Sequence, residues 1–403
     1  MSHVVVIGAG QAGSSLVAKL RNGGFDGSVT LIGEEPAPPY QRPPLSKKYL
    51  LGEMELERLY LRPESFYSEN DIDLRLSENV SEIDREAREV VVGENRIAYD
   101  QLVLTTGSTP RLLPAAIGGD LDGVFVVRDL KDVDTMAPGF EPGKCVLIVG
   151  GGYIGLEAAA VAASKGLKVT LVEMAERILQ RVAARETSDY FRDLHRSHGV
   201  DIREGVGLER LTGKRQVTGA YLSDGTRLEV DFVIVGVGVM PSTALAEAAG
   251  LEIENGIKVN ELGQTSDPAI WAAGDCASFP HGETCIRLES VPNAIDMAEC
   301  VAENIMGAGK TYVPQPWFWS DQYDVKLQIA GLNTGYDRIV TRPGEAAGHV
   351  SFWYYRGDQL LAVDAMNEPR AYMVGKRLID GGKTADPAVV ADPEADLKGQ
   401  LKK

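Results

Sequence analysis

Runs of apolar residues of buried-strand type punctuate this chain, and two of them are followed by the same sequel. His3-Val4-Val5-Val6-Ile7 leads into Gly8-Ala9-Gly10-Gln11-Ala12-Gly13, and Cys145-Val146-Leu147-Ile148-Val149 leads into Gly150-Gly151-Gly152-Tyr153-Ile154-Gly155. Each glycine turn opens a small-residue stretch with helical character, over 14–20 and 156–165. A continuous apolar run, a turn and a helix are the signature of a βα unit with a buried parallel strand.

The same order continues behind each unit. Val90-Val91-Val92, a Gly93-Glu94-Asn95 turn and a return through Ile97 and Tyr99 predict a hairpin that runs into Leu102-Val103-Leu104. In the second half, 217–222, a Ser223-Asp224-Gly225 turn and 228–235 repeat it, ending at Gly236-Val237-Gly238. A whole nucleotide-binding domain is therefore present twice in weakly similar form. Beyond Gly238 come an Asn255-Gly256 turn, the run Ile270-Trp271-Ala272-Ala273-Gly274-Asp275 and a predicted helix over 294–306. From about Pro316 the pattern alternates with period two, through 326–329, 350–355 and 360–363, before a charged tail expected to fray.

The predicted fold is thus α/β, with two Rossmann-like dinucleotide-binding domains and a C-terminal α+β domain. Residues 1–111 and 238–315 would form the first domain, 112–237 the second and 316–403 the third. A length of 403 residues suits this division.

Each glycine set has a physical task. The three glycines serve a tight turn, close approach of the backbone to a pyrophosphate, and helix-to-strand packing, with the helix N-terminus aimed at the phosphates. About 20 residues on, an acid is expected at the end of the next strand to accept from ribose hydroxyls. Glu34, with Glu35 beside it, and Glu173 occupy those places. Two complete fingerprints point to two nucleotides and a redox relay.

Charge narrows the partners. With 41 Lys and Arg against 58 Asp and Glu, the net charge is −17, which excludes nucleic acid and anionic membranes as natural partners. The chain starts directly with its first strand, and no apolar run reaches the ~18 residues of a membrane helix, so a cytoplasmic protein is expected. The four cysteines show no metal-ligand or Cys-x-x-Cys spacing and read as small buried hydrophobes. No metal is expected. His195 and His198 fall near the end of a predicted helix and read as a solvated helix end. That helix, expected from Arg177, carries Arg177, Arg181 and Arg185 at four-residue spacing, continued by Arg192 and Arg196. Interleaved Glu176, Glu186, Asp189 and Asp193 make it a mixed-charge face rather than a basic stripe.

Six blocks together carry a family likeness. The two fingerprints, the run 40–47 (Tyr-Gln-Arg-Pro-Pro-Leu-Ser-Lys), Thr106-Gly107-Ser108-Thr109-Pro110-Arg111, Gly274-Asp275 and the run 316–322 (Pro-Trp-Phe-Trp-Ser-Asp-Gln) resemble the FAD-dependent, NADH-linked ferredoxin reductases of bacterial oxygenase and cytochrome P450 systems. That family has the glutathione-reductase architecture. The resemblance implies FAD on the first fingerprint, held by Gly8, Gly10, Ala12, Gly13, Glu34, Arg42, Lys47, Val80, Thr106, Gly107, Arg128, Gly274, Asp275 and Val291. It implies NADH on the second, held by Gly150, Gly152, Ile154, Gly155, Glu173 and Gly238. It further implies a [2Fe–2S] ferredoxin as electron acceptor and, indirectly, a cytochrome P450 or dioxygenase as partner.

Within the resemblance, Lys47 reaches the flavin N5 region and pairs with Glu157, Asp275 binds the ribitol, Arg128 contacts the flavin and Trp319 lies beside the ring. Lys47, Glu157 and Trp319 are the candidate catalytic residues. Relatives that reduce disulfides carry a cysteine in the segment matching 40–51, where this chain has Pro43 and Pro44 and no thiol. Glu299 departs from a basic residue of some relatives and leaves the docking surface open. The residues leave open a small-acceptor reductase of monodehydroascorbate reductase type and a redox-sensing flavoprotein resembling apoptosis-inducing factor, and equally a monomer or a weak dimer.

Overall fold

A computed structural model describes residues 2–402. The chain divides into two compact units, the first formed by Met1–Gln41, Glu55–Thr109 and Val239–Pro316, the second by Arg42–Met54, Pro110–Gly238 and Trp317–Lys403. The excursion Arg42–Met54, read from sequence with the first domain, is grouped with the second unit.

The first unit is built on a five-stranded sheet in the order Ile270–Ala272, Gln101–Leu104, His3–Ile7, Ser28–Ile32, Ile72–Arg75, all parallel. Val4, Val5 and Val6 are fully buried, as strands covered on both faces require. The helices Gln11–Asn22 and Val291–Ile305 pack together in this unit. A three-stranded antiparallel sheet, Val80–Asp84, Glu89–Val92 and Asn95–Ala98, completes the hairpin region. Gln101–Leu104 belongs instead to the parallel sheet.

In the second unit the parallel sheet runs Val124–Phe125, Phe232–Val235, Cys145–Val149, Lys168–Glu173, Asp201–Glu204. This repeats the first unit's order strand for strand, and the hairpin region again forms an antiparallel sheet, Leu208–Gly213, Val217–Leu222 and Arg227–Glu229. One strand differs in origin. The edge strand of the first sheet comes long after its fingerprint, whereas Val124–Phe125 precedes its own. The C-terminal part is a five-stranded antiparallel sheet, Trp317–Gln322, Val325–Gly331, Gln359–Met366, Val350–Arg356 and Arg338–Pro343, covered by the helix Pro369–Asp380.

Three sequence expectations are corrected. The helix expected from Arg177 starts at Arg185: Leu179 adopts φ +55°, and the Arg177 guanidinium donates to the carbonyls of Ala183 and Ala184, holding 177–184 as a non-helical loop. Arg192 on that helix is tied to Glu204 and Asp189, so no row of free arginines exists there. His195 is fully buried rather than solvated. The tail does not fray, because Arg342 donates to the carbonyls of Val389, Val390, Asp392, Pro393 and Ala395, and Val390 and Leu397 are buried.

Among the described residues no helix is long and apolar enough to cross a membrane, and no group of His, Cys, Asp and Glu side chains could hold a metal ion.

Candidate dinucleotide sites and a buried ion pair

The two glycine turns fold alike because their contacts are alike. Gly8 sits at φ +114°, and a Cβ there would lie 2.2 Å from the Thr105 carbonyl oxygen. A Cβ on Gly13 would strike the Gly8 oxygen at 2.1 Å. In the second turn Gly150, at φ +108°, would meet the Gly236 oxygen at 2.3 Å, and Gly155 would meet the Gly150 oxygen at 2.1 Å. The middle glycines behave differently. A Cβ on Gly10 or Gly152 would find no described protein atom within 4 Å, so the protein's own packing does not demand glycine there and the space is free for a ligand. The helices Gln11–Asn22 and Tyr153–Ser164 begin at these two glycines with no side-chain cap. Their first N–H groups and the positive end of each helix dipole are left for an anion. Both cradles therefore fit a dinucleotide pyrophosphate.

Strand ends gather the other predicted residues of the first unit. Ala272 is paired with Leu104, so Gly274 and Asp275 emerge beside Thr106 and Gly107 at the carboxyl edge of the sheet, where open α/β sheets take ligands. Gly274, at φ +83°, approaches Ala12, and a Cβ there would lie 3.1 Å from the Ala12 Cβ. Ser108 donates to Asp275 Oδ2 at 3.1 Å and Thr106 Oγ1 donates to the Ser242 carbonyl at 2.7 Å. Asp275 does not cap the next helix, whose N-cap is Ser290, just before Val291. Glu34 is exposed two residues past the strand Ser28–Ile32, while Glu35 accepts from the Tyr40 hydroxyl. Val80 is buried at the start of its strand, and the preceding Ser77 and Glu78 donate to the carbonyls of Glu35 and Gly33.

In the second unit Glu173 ends its strand as expected. Its carboxylate accepts from the N–H of Gly151 and of Ala175, each at 2.8 Å, which fixes it beside the fingerprint. Arg177, the next cation in the chain, is engaged by carbonyls and by the Ser188 hydroxyl. Ile154 is partly exposed on the first helical turn, and Gly238 takes φ +99° past the strand Phe232–Val235.

Lys47 lies between the 3-10 turn Pro43–Ser46 and the short helix Lys48–Leu51. Its ammonium is 2.9 Å from Glu157 Oε1. Glu157 also accepts from the Ser46 hydroxyl at 2.9 Å and the Ser320 hydroxyl at 2.7 Å. Burial pushes the Glu157 carboxyl above its usual range, and Lys47, Ser320 and Ser46 pull it back. Arg42 donates to the Arg128 carbonyl at 2.8 Å, bringing those two predicted residues together. Arg128 lies beyond the strand Val124–Phe125 and just before the helix Leu130–Met136 with its Asp129–Asp132 capping box. Trp319 is half-buried on Trp317–Gln322 and stacked against Trp317, ring centroids 5.5 Å apart.

Ser46 and Ser320 were missed as site residues in the sequence, although both lie inside the two most distinctive blocks. The usable signal was their position, one residue from Lys47 and from Trp319.

Known proteins match along the whole chain. Residues 2–298 match the pyridine nucleotide-disulphide oxidoreductase family and residues 317–401 the reductase C-terminal family. Putidaredoxin reductase of Pseudomonas putida is 41% identical over 98% of this chain and 96% of its own length. The ferredoxin–NAD(+) reductase component of the p-cumate 2,3-dioxygenase system of Pseudomonas putida is 37% identical over 99% and 98%. Putidaredoxin reductase in its covalent complex with putidaredoxin superposes with a TM-score of 0.96, at 39% identity, covering 100% of this chain and 98% of that one. Matched over nearly its whole length in sequence and in fold, the chain belongs to the pyridine nucleotide-disulphide oxidoreductase family, in its group of putidaredoxin reductase-like ferredoxin reductases.

Proposed function

We propose that this enzyme takes electrons from NADH and passes them, with bound FAD as the relay, to a [2Fe–2S] ferredoxin serving a cytochrome P450 or a ring-hydroxylating dioxygenase. The duplicated cradle carries this reading: in each, two glycines are closed by backbone and the middle one opens outward. The FAD-binding domain would comprise 1–111 and 238–315, the NAD-binding domain 112–237 and the C-terminal domain 316–403. Gly8, Gly10, Ala12 and Gly13 would receive the FAD pyrophosphate, with Glu34, Val80, Thr106, Gly107, Gly274, Asp275 and Val291 around it. Arg42, Lys47 and Arg128 complete the FAD set by family likeness. Gly150, Gly152, Ile154, Gly155, Glu173 and Gly238 would receive NADH.

A bound flavin supplies acceptance of a hydride and release of electrons one at a time, the conversion that a ferredoxin requires. Lys47 would supply a fixed positive charge to a bound flavin, where it would stabilise negative charge. Glu157 holds that charge in place, because an ammonium paired in a buried site has one orientation. Glu173 favours NADH, since its carboxylate would repel a 2′-phosphate. A disulfide reaction has no thiol to use in 40–51.

The test is to mix purified holoenzyme with NADH and cytochrome c, with and without a [2Fe–2S] ferredoxin. Flavin bleaching by NADH should be fast and cytochrome c reduction slow until ferredoxin is added. Fast turnover with monodehydroascorbate radical and no stimulation by ferredoxins would overturn the assignment of the acceptor.

A further inference from the structure

The Lys47–Glu157 pair is one end of a longer buried chain of hydrogen bonds. Ser320 Oγ, which reaches Glu157 Oε1, stands 3.1 Å from Gln322 Nε2, and Gln322 Oε1 stands 2.7 Å from His195 Nε2. His195 Nδ1 lies 3.2 Å from the Tyr323 hydroxyl, whose ring stacks on the exposed His198 with centroids 3.7 Å apart. Ser320, Gln322 and His195 are each 0% exposed.

Only one direction satisfies this chain. An ionised carboxylate accepts and cannot donate, so the single Ser320 proton must point at Glu157. The Ser320 oxygen then accepts from the Gln322 amide N–H, which turns the amide oxygen toward His195. His195 must therefore carry its proton on Nε2 and use Nδ1 to accept from Tyr323. Burial pushes His195 down to about 4 and raises Tyr323, so imidazole and phenol both stay neutral at physiological pH. Three fully buried polar side chains cost stability that apolar residues of similar size would not, unless each is satisfied. Here each is satisfied, and every donor points at Glu157.

We propose that His195 and Gln322 are positioning residues for the Lys47–Glu157 pair: by orienting the Ser320 hydroxyl they keep Glu157 an anion and hold Lys47 in place. This rests on the reading of that pair as part of the NADH-to-flavin step. The groups that face Glu157 are Lys47 and Ser46 from the segment 43–51 and Ser320 from the strand Trp317–Gln322. Facing His195 are Gln322 and Tyr323, with His198 the titratable neighbour.

Two measurements test it. In the wild-type chain labelled with ¹⁵N-histidine, the His195 ring should give the shift pattern of an Nε2–H tautomer and should not titrate above about pH 5. An Nδ1–H tautomer, or titration near 6.5, overturns the network whatever the enzyme does. In holoenzyme, stopped-flow reduction by NADH should lose rate toward acid as Glu157 is protonated. Ser320→Ala should move that inflection up by about one pH unit, the worth of one hydrogen bond to a charge. Gln322→Leu and His195→Phe should move it the same way by less, and Ser320→Thr should restore it. Inflections in Gln322→Leu and His195→Phe that coincide with wild type, while Ser320→Ala shifts, sink the positioning role. If Lys47→Met is itself reduced at the wild-type rate, the reading of the pair fails instead, and the tautomer still decides the network.

Discussion

Lys47 Nζ and Glu157 Oε1 stand 2.9 Å apart with both side chains almost withdrawn from solvent. The cation comes from a turn between two prolines and a four-residue helix, the anion from the helix opened by the second fingerprint. Replacing Lys47 by Met should leave FAD bound, since the cradle of the first unit is untouched. Flavin reduction by NADH in stopped flow should slow by on the order of 100-fold, as when a preorganised electrostatic contact is removed. Stability should fall by less than the about 3–5 kcal/mol of a stranded buried charge, because Glu157, already pushed up by burial, can take a proton.

The middle glycines separate folding from binding. Gly10→Ala should fold with a melting temperature near wild type, because its Cβ meets no protein atom within 4 Å, yet purify without flavin colour. Gly152→Ala should keep FAD and lose NADH affinity. Gly13→Ala and Gly155→Ala, whose Cβ atoms would strike backbone oxygens at 2.1 Å, should lose stability as well. Equal flavin content in Gly10→Ala and wild type would remove the first cradle from the FAD site.

Nucleotide preference should follow Glu173. NADH should exceed NADPH in kcat/KM, and Glu173→Ala should narrow the gap by on the order of 1–3 kcal/mol. Arg177→Ala should not change the preference, since that guanidinium is already bound to carbonyls in its own loop.

Two buried groups in the second unit give opposing pH dependences. Asp364 is fully buried, with Tyr354 and Thr187 its donors among the described residues, and burial pushes it from 3.8 up to about 6. The folded chain thus binds a proton there that the unfolded chain has released, so its contribution is present below about pH 4 and lost as pH rises through about 6. His195 works the other way. Its folded value, about 4, lies below the ordinary 6.5, so stability is lost as pH falls through that window. Asp364→Asn should therefore raise stability at pH 7 relative to pH 4.5, by up to roughly 2 kcal/mol in urea unfolding. No change in that difference would mean that Asp364 is ionised without penalty.

The cradles were legible in the sequence because one of the two contacts that close each is local, while the Thr105 and Gly236 carbonyls that close Gly8 and Gly150 lie far along the chain. A strand, a turn and the next helix supply Gly8 with Gly13, and Gly150 with Gly155, within a few residues. Lys47 and Glu157 were legible only through family likeness, since nothing near either announces the other. His195 was misread because its partner Gln322 lies on a strand of another part of the chain, and a helix end looks solvated until that strand arrives. The late helix start at Arg185 was hidden in the same way: a single residue at φ +55° and one arginine bound to carbonyls outweigh good helix propensity.

The unequal origin of the two edge strands has a consequence in time. On the ribosome the second parallel sheet has all its strands once residue 235 has emerged, because Val124–Phe125 has already been made. The first sheet must wait for Ile270–Ala272, and its fingerprint helix for its partner Val291–Ile305. The N-terminal fingerprint is synthesised first and completed late, so the nascent chain carries an unfinished sheet edge, a strand-pairing hazard, through more than half of its synthesis.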